Sequence, residues 1–407
     1  MCYTFAMDNV EELLTRGVEK IYPSYEELER VLRSGKKLKL YQGFDPTGIQ
    51  LHIGHMVGIR KLRQWQDLGH HVIFLIGDGT GQAGDPSGKK HGREKFLTRE
   101  ELRRNAVDYI KQAGKIVRFE GENPVEILFN GDWLNKLNLV DILNIAGHFT
   151  PQQLLERDLF ADRIKRGEDI NLREFLYPLL QAYDSVAMEV DLEVGGSDQM
   201  FNMLCGRTLI KQMKNKDKFV MTTPLLTDSK AVKIGKTEGN AIALTDKPED
   251  LFGKIMALPD DVITKGLEYL TDVPTEEIKR INKDIESGEN PVPYKKKLAF
   301  EIVKQLNDKK QAFNSQKYFE KTVQKQELPE NIPIYQYIGS ESIEIINVLV
   351  NAKLASSRSQ AKRLVEQGGV SIDEKIIKNS NDLLMPKDGM MLRVGKRKFV
   401  KIKTAPK

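Results

Sequence analysis

Cysteine is almost missing from this chain: Cys2 and Cys205 are the two among 407 residues. That is too few for a disulfide framework or a thiolate zinc site, and it fits a reducing cytoplasm. No apolar run approaches the roughly 18 residues that span a bilayer. The opening Met-Cys-Tyr-Thr-Phe-Ala-Met lacks the basic region and apolar stretch of a secretory signal. A soluble cytoplasmic protein without a membrane partner is expected. No Ser-His-Asp or Cys-His set stands out, so covalent catalysis has no obvious carrier. One sign of charge is also unevenly supplied. The net charge is +5, yet from Glu341 onward 14 Lys or Arg face 7 acids, an excess of +7 that leaves about −2 for everything before it. A positive field confined to one end suits a polyanion-binding appendage.

What is present is organised around residues 41–93. An apolar strand ends at Tyr41 and is followed by the loop Gly43-Phe44-Asp45-Pro46-Thr47. Then His52-Ile53-Gly54-His55 opens a long proline-free segment, which puts both His on the first turn of a helix. Unpaired N–H groups and a partial positive charge at a helix start, beside a Gly that allows close approach, suit a triphosphate. Taken alone, the pair reads sooner as a helix cap and a surface residue than as a phosphate site. A second loop follows the apolar run Val72–Ile76, and Gly79 to Gly84 within it spells G-x-G-x-x-G. A dinucleotide site is disfavoured: Asp85-Pro86-Ser87-Gly88 reads as a turn rather than a helix start, and Glu120 lies too far along to be the acidic partner. A P-loop fails too, because Lys90 follows Gly88-Lys89 where Ser or Thr belongs.

Thr98 with Glu101, and Thr150-Pro151 with Gln153, have capping-box spacing. Residues 8–34 read as helical before a first strand near Leu38–Tyr41. Alternating strands and helices predict an α/β fold with a doubly wound parallel sheet, whose ligands bind beyond the carboxyl ends of the strands. Tyr177, Gln181 and Asp184 fall at i, i+4 and i+7, on one face of a helix, where a phenol, an amide and a carboxylate would converge. Gly196-Ser197-Asp198-Gln199 follows another strand. Lys233-Ile234-Gly235-Lys236-Thr237 is a glycine-bearing lysine loop.

Together these clusters resemble the class I aminoacyl-tRNA synthetases, and among them the tyrosyl enzymes of bacterial type. His52-Ile53-Gly54-His55 matches the HIGH signature and Lys233 to Thr237 the KMSKS loop, with Gly and Thr where the general signature has serines. The resemblance implies that Thr47, His52, His55, Lys233, Lys236 and Thr237 handle the phosphates and ribose of ATP. Asp45, Gly54, Gly196 and Asp198 line the nucleotide site, with Lys89 and Arg93 near pyrophosphate. Magnesium arrives with ATP, and no metal ligand set is expected from the chain. For the amino acid it implies a phenolic hydroxyl between Tyr41 and Asp184, an α-ammonium among Asp85, Tyr177 and Gln181, and a carboxylate near Gln199. It further implies a catalytic domain over residues 1–245 with a connective insertion around 122–165, an α-helical anticodon-side domain over 246–325, a linker over 326–340, an S4-like RNA-binding domain over 341–407, and a homodimer.

The tail supports the last domain on its own terms. In Ser357 to Val365, Ala361, Leu364 and Val365 face inward while Arg358 and Lys362 face out beside Arg363. Lys396, Arg397 and Lys398 form a second basic cluster. Aromatics make up 7% of the chain, which favours phosphate and shape contacts with tRNA over base stacking. Two rivals stand at this point: an RNA-binding protein on a synthetase scaffold, which could lose His52, His55, Lys233, Lys236, Tyr41 and Asp184, and a nucleotidyltransferase, which would not need the tail.

Overall fold

The structure is a computed structural model that describes residues 8–48, 50–85, 96–155, 158–230, 233–234, 242–324, 332–339, 341–373, 375–395 and 398–405. It divides into two units, Met1–Ala312 and Phe313–Lys407. The first carries six strands, β1 (Lys20–Tyr22), β2 (Lys39–Phe44), β3 (His71–Ile76), β4 (Glu126–Phe129), β5 (Leu192–Gly196) and β6 (Phe219–Thr223), in the order β1-β6-β5-β2-β3-β4. Strands β2 to β6 pair in parallel, and β1 closes one edge antiparallel to β6. Val72 to Ile76 are all buried, as a strand with both faces covered requires.

From β2 the chain builds outward through β3 and β4, then returns to β5 on the other side of β2. The direction therefore reverses between β2 and β5, which makes their carboxyl ends the expected ligand crevice. Tyr41 of β2 stands opposite Glu193 of β5 at this place.

The helical reading of residues 8–34 is corrected in part. Helices Asn9–Thr15 and Tyr25–Arg33 form, but Lys20–Tyr22 between them is the edge strand β1. Gly17, at φ +61°, ends the first helix, and Pro23 separates the strand from the second. A three-residue strand whose partner lies about 200 positions away leaves no periodicity to read.

Helix α1 (Ile53–Asp67) follows β2, and α2 (Arg99–Ala113) starts on the Thr98 cap with Glu101 bonding back. Helix α3 (Leu172–Met188) packs on α4 (Met200–Lys214) through Leu179, Ala182, Val186, Cys205, Leu209 and Ile210. Thr150 and Gln153 also cap each other's backbone, at 3.2 and 2.9 Å. After β6 come helices Pro248–Met256, Ile263–Leu270, Thr275–Glu286 and Val292–Leu306, with Pro259, Pro274 and Pro291 each just ahead of a helical turn.

The second unit holds β7 (Ile334–Ile338), β8 (Ile343–Glu344), β9 (Val370–Ile372), β10 (Lys375–Ile377), β11 (Leu383–Leu384), β12 (Met391–Val394) and β13 (Lys398–Ala405). Five of them form a sheet ordered β10-β9-β12-β13-β7. Helices α5 (Ile345–Asn351) and α6 (Arg358–Glu366) bury Ile345, Leu349, Ala361 and Val365 against Val370, Leu392 and Ile402. Ser357 caps α6 through the Gln360 amide at 3.2 Å, and Gly368, at φ +69°, ends it.

Candidate active site

His52 is the N-cap of α1, and its Nδ1 accepts the Gly54 amide at 3.1 Å. His55 reaches back, its Nδ1 accepting the His52 amide at 3.2 Å. The ring centroids lie 3.9 Å apart. A Cβ at Gly54 would stand 2.9 Å from the His52 ring, so the cap itself demands glycine there. Using Nδ1 for the backbone fixes the orientation of both rings at the positive end of the helix.

This helix start borders a cavity of about 440 Å³ lined from the carboxyl ends of β2, β3, β5 and β6. Tyr41, Asp45, Thr47, Asp85, Tyr177, Gln181, Asp184, Gly196, Asp198, Gln199 and Lys233 all reach it, together with His52, Gly54 and His55. At one end everything is buried: Tyr41 is 1% and Asp184 2% exposed. Asp184 accepts from Asn130 Nδ2 at 3.0 Å and Trp133 Nε1 at 2.8 Å. Burial pushes its carboxyl well above the usual carboxylate range, while those two donors pull it back. The Tyr41 hydroxyl lies 3.1 Å from Ser185 Oγ, and burial, then the Glu193 and Asp184 charges, raise it. Tyr177 donates to Asp45 at 2.9 Å, and Thr80 to the other Asp45 oxygen at 2.7 Å. Burial first, then Asp45 and Asp85, raise the Tyr177 hydroxyl.

The other end is polar and open. Lys233 Nζ lies 2.8 Å from Asp198 Oδ2, with side chains 43% and 32% exposed. The Ile234 carbonyl stands 3.6 Å from a Cβ built on Gly54. The Ile53 amide donates to the Ile242 carbonyl at 3.0 Å, and the Leu244 amide to Leu51 at 2.9 Å. Both flanks of the lysine loop thus meet the start of α1. Lys89, Arg93, Lys236 and Thr237 lie outside the described residues. Gln199 Nε2 donates to Asp85 at 3.0 Å. Among the described residues, no group of three or more His, Cys, Asp or Glu could hold a metal.

A cavity with a buried phenol and carboxylate at one end and His and Lys at the other narrows the comparison to one family. Residues 33–324 match the tRNA synthetases class I (W and Y), and residues 345–388 match the S4 domain. The chain belongs to the class I tRNA synthetases. The synthetase is 43% identical over 394 residues to the protein of Thermotoga maritima named tyrosine–tRNA ligase, covering 96% of each chain. It is 41% identical over 401 residues to that of Carboxydothermus hydrogenoformans, covering 96% and 97%. A C-terminally truncated mitochondrial tyrosyl-tRNA synthetase of Aspergillus nidulans superposes with a TM-score of 0.64 at 28% identity, over 76% of this chain and 92% of that one. The Archaeoglobus fulgidus tyrosyl-tRNA synthetase, at 22% identity and TM-score 0.62, shares the fold over 76% of this chain and all of its own.

Sequence reasoning missed several residues that shape the synthetase's cavity: Thr80, Asn130, Trp133, Ser185, Glu193 and Lys218. None carries a local signal, because each meets its partner across 25 to 144 positions. In the S4 unit Arg358, Lys362 and Arg363 are exposed, as is Lys398, whereas Lys396 and Arg397 lie outside the described residues. Arg358 pairs with Glu344 at 2.9 Å.

Proposed function

We propose that the chain is a tyrosine–tRNA ligase, which activates L-tyrosine with ATP to the adenylate and diphosphate and then charges the 3′ end of its tRNA. One observation carries the substrate choice: Tyr41 and Asp184 sit together at the buried end of the cavity. A ligand lacking a hydroxyl leaves that buried carboxyl one hydrogen bond short, so phenylalanine is disfavoured. The tyrosine carboxylate attacks the α-phosphorus, and the bond to the pyrophosphate oxygen breaks. This transfer needs positioning and cations rather than a nucleophilic side chain. His52 and His55, fixed by their cap, and Lys233 on the far side of α1's first turn serve the phosphates, with Thr47 beside them. Lys236, Thr237, Lys89 and Arg93 complete the phosphate contacts, and Asp198 and Gly196 hold the ribose. Magnesium rides in on the phosphates and adds charge there.

The S4 unit, with Arg358, Lys362, Arg363 and the Lys396 to Lys398 cluster, holds tRNA. The helices over 246–325 form the anticodon-side domain; of the expected 326–340 linker, Ile334–Ile338 is instead strand β7, paired with β13 in the sheet of the second unit. The enzyme acts as a homodimer in the cytoplasm. Exposed apolar side chains on helix Leu139–Ala146 support the dimer, with Leu139, Val140 and Leu143 at 71%, 63% and 60% exposure, since a free surface rarely concentrates them. Amino-acid-dependent exchange of pyrophosphate into ATP, run over all twenty amino acids, tests the activity. Exchange with tyrosine is expected. Exchange with tryptophan, or with none, overturns the reading.

A further inference from the structure

Glu193 of the cavity wall belongs to a buried ion pair that neither the adenylate chemistry nor the motifs use. Lys218 is 0% and Glu193 2% exposed. Lys218 Nζ donates to Glu193 Oε2, and also to Ser185 Oγ at 2.8 Å. The second Glu193 oxygen accepts Gln181 Nε2 at 3.1 Å. Ser185 Oγ in turn meets the Tyr41 hydroxyl at 3.1 Å. Room for the ammonium exists because residue 206 is glycine; a Cβ there would stand 2.6 Å from Lys218 Nζ. The pair is thus built into the sheet where Tyr41 and Glu193 face each other, yet Lys218 itself does not line the cavity.

A primary amide has a donor end and an acceptor end. Glu193, holding the Lys218 ammonium on one oxygen, accepts the NH₂ of Gln181 on the other. Among the described residues, the Gln181 carbonyl oxygen is then left buried with no donor to meet it. It lies one helical turn beyond Tyr177, whose hydroxyl feels both Asp45 and Asp85. This part of the wall is therefore rich in acceptors, and it suits a cation.

We propose that the Lys218–Glu193 pair is a positioning device that sets which end of the Gln181 amide faces the cavity, and so makes it a receptor for the α-ammonium of the amino acid. The inference rests on the tyrosine reading above. Without Lys218, nothing commits the Glu193 side chain to accepting from Gln181. The Gln181 amide is then released to turn its NH₂ to the ligand.

The test compares two competitors of tyrosine in pyrophosphate exchange. Tyramine has the phenol and the ammonium, and 3-(4-hydroxyphenyl)propanoate has the phenol without the ammonium. Wild-type exchange with tyrosine checks the underlying reading first, since its absence would sink that reading and not this one. In Lys218→Met, tyramine binding is expected to weaken by about tenfold to a hundredfold, the worth of a hydrogen bond to a charged group. The propanoate should stay within about twofold, and so should the KM for ATP. The double variant Lys218→Met/Glu193→Gln leaves no unpaired buried charge and guards against misfolding of the single one. Its neutral amide accepts either Gln181 orientation, so an ammonium-specific loss smaller than that of the single variant is expected. Equal losses for both competitors, or no loss of tyramine binding in the folded variants, overturn the proposal.

Discussion

In the proposed tyrosine site, Asp184 is the carboxylate that discriminates. Asn130 and Trp133 each donate to it, and burial holds it from water, so the ligand's hydroxyl is the one further partner it gains. Asp184→Ala should lower the preference for tyrosine over phenylalanine by about tenfold to a hundredfold, read as the ratio of kcat/KM in pyrophosphate exchange. An unchanged ratio would place the hydroxyl elsewhere. The Tyr177, Gln181 and Asp184 stripe was legible because helical spacing alone brings i, i+4 and i+7 together. The groups that hold those three were not, since Asn130, Glu193 and Asp45 come from other strands and loops. His70 gives a second residue-scale outcome. Its Nδ1 accepts the Leu38 amide at 3.0 Å, and burial, then the Lys37 charge, bring its pKa down to about 4 from the ordinary 6.5. Because the folded value is the lower one, the unfolded chain binds a proton first as pH falls. The stability contributed is full above about pH 6.5 and is lost progressively toward pH 4, with on the order of 1 kcal/mol gone by pH 5 once solvent screening is allowed for. Urea denaturation of His70→Gln at pH 7.5 and 5 should show a pH-dependent loss smaller by that amount; equal slopes for the two proteins would mean His70 is not the titrating group.

At the scale of the element, the first turn of α1 joins stability to chemistry. The cap could be read from the His-x-x-His spacing, and the structure adds that the two imidazoles cap each other's backbone. A polar cap can be supplied by other side chains, but a second ring nitrogen cannot. His52→Asn should therefore keep the helix start while lowering kcat for adenylate formation by about a hundredfold, with less effect on the KM for tyrosine. His52→Ala should show the same kinetic loss and a further ~1 kcal/mol of destabilisation from the missing cap. Thermal unfolding beside single-turnover kinetics checks both, and full activity in the Asn variant would reduce His52 to a cap. Where the sequence misled, at Lys20–Tyr22, the reason was again long-range pairing: an edge strand three residues long is defined by β6, with Lys20 opposite Thr222, and nothing in its own spacing announces it.

Across the whole molecule, the order of the parallel sheet puts the cavity at the reversal between β2 and β5, and every cavity residue comes from the first 234 positions. The positive excess, by contrast, begins only after Glu341. Both facts were open to the sequence, one through strand-loop motifs and the other through charge counting, which need no tertiary knowledge. They separate two functions on one chain. A protein ending at Gln324 keeps the whole synthetase match, residues 33–324, and the Aspergillus nidulans relative shows that a C-terminally truncated enzyme of this family holds the fold. Tyrosine-dependent pyrophosphate exchange should stay within about twofold of the full chain. Transfer to tRNA should fall sharply, because phosphate contacts supply much of RNA affinity and Arg358, Lys362, Arg363 and Lys398 are gone. For the intact protein, the logarithm of tRNA affinity should fall linearly with the logarithm of salt concentration, and truncation should flatten that slope. If the shortened chain charges tRNA at the full rate, or the slope is unchanged, the RNA contacts reside in the first unit. Lys295, Lys296 and Lys297 of helix Val292–Leu306 would then be the next residues to replace.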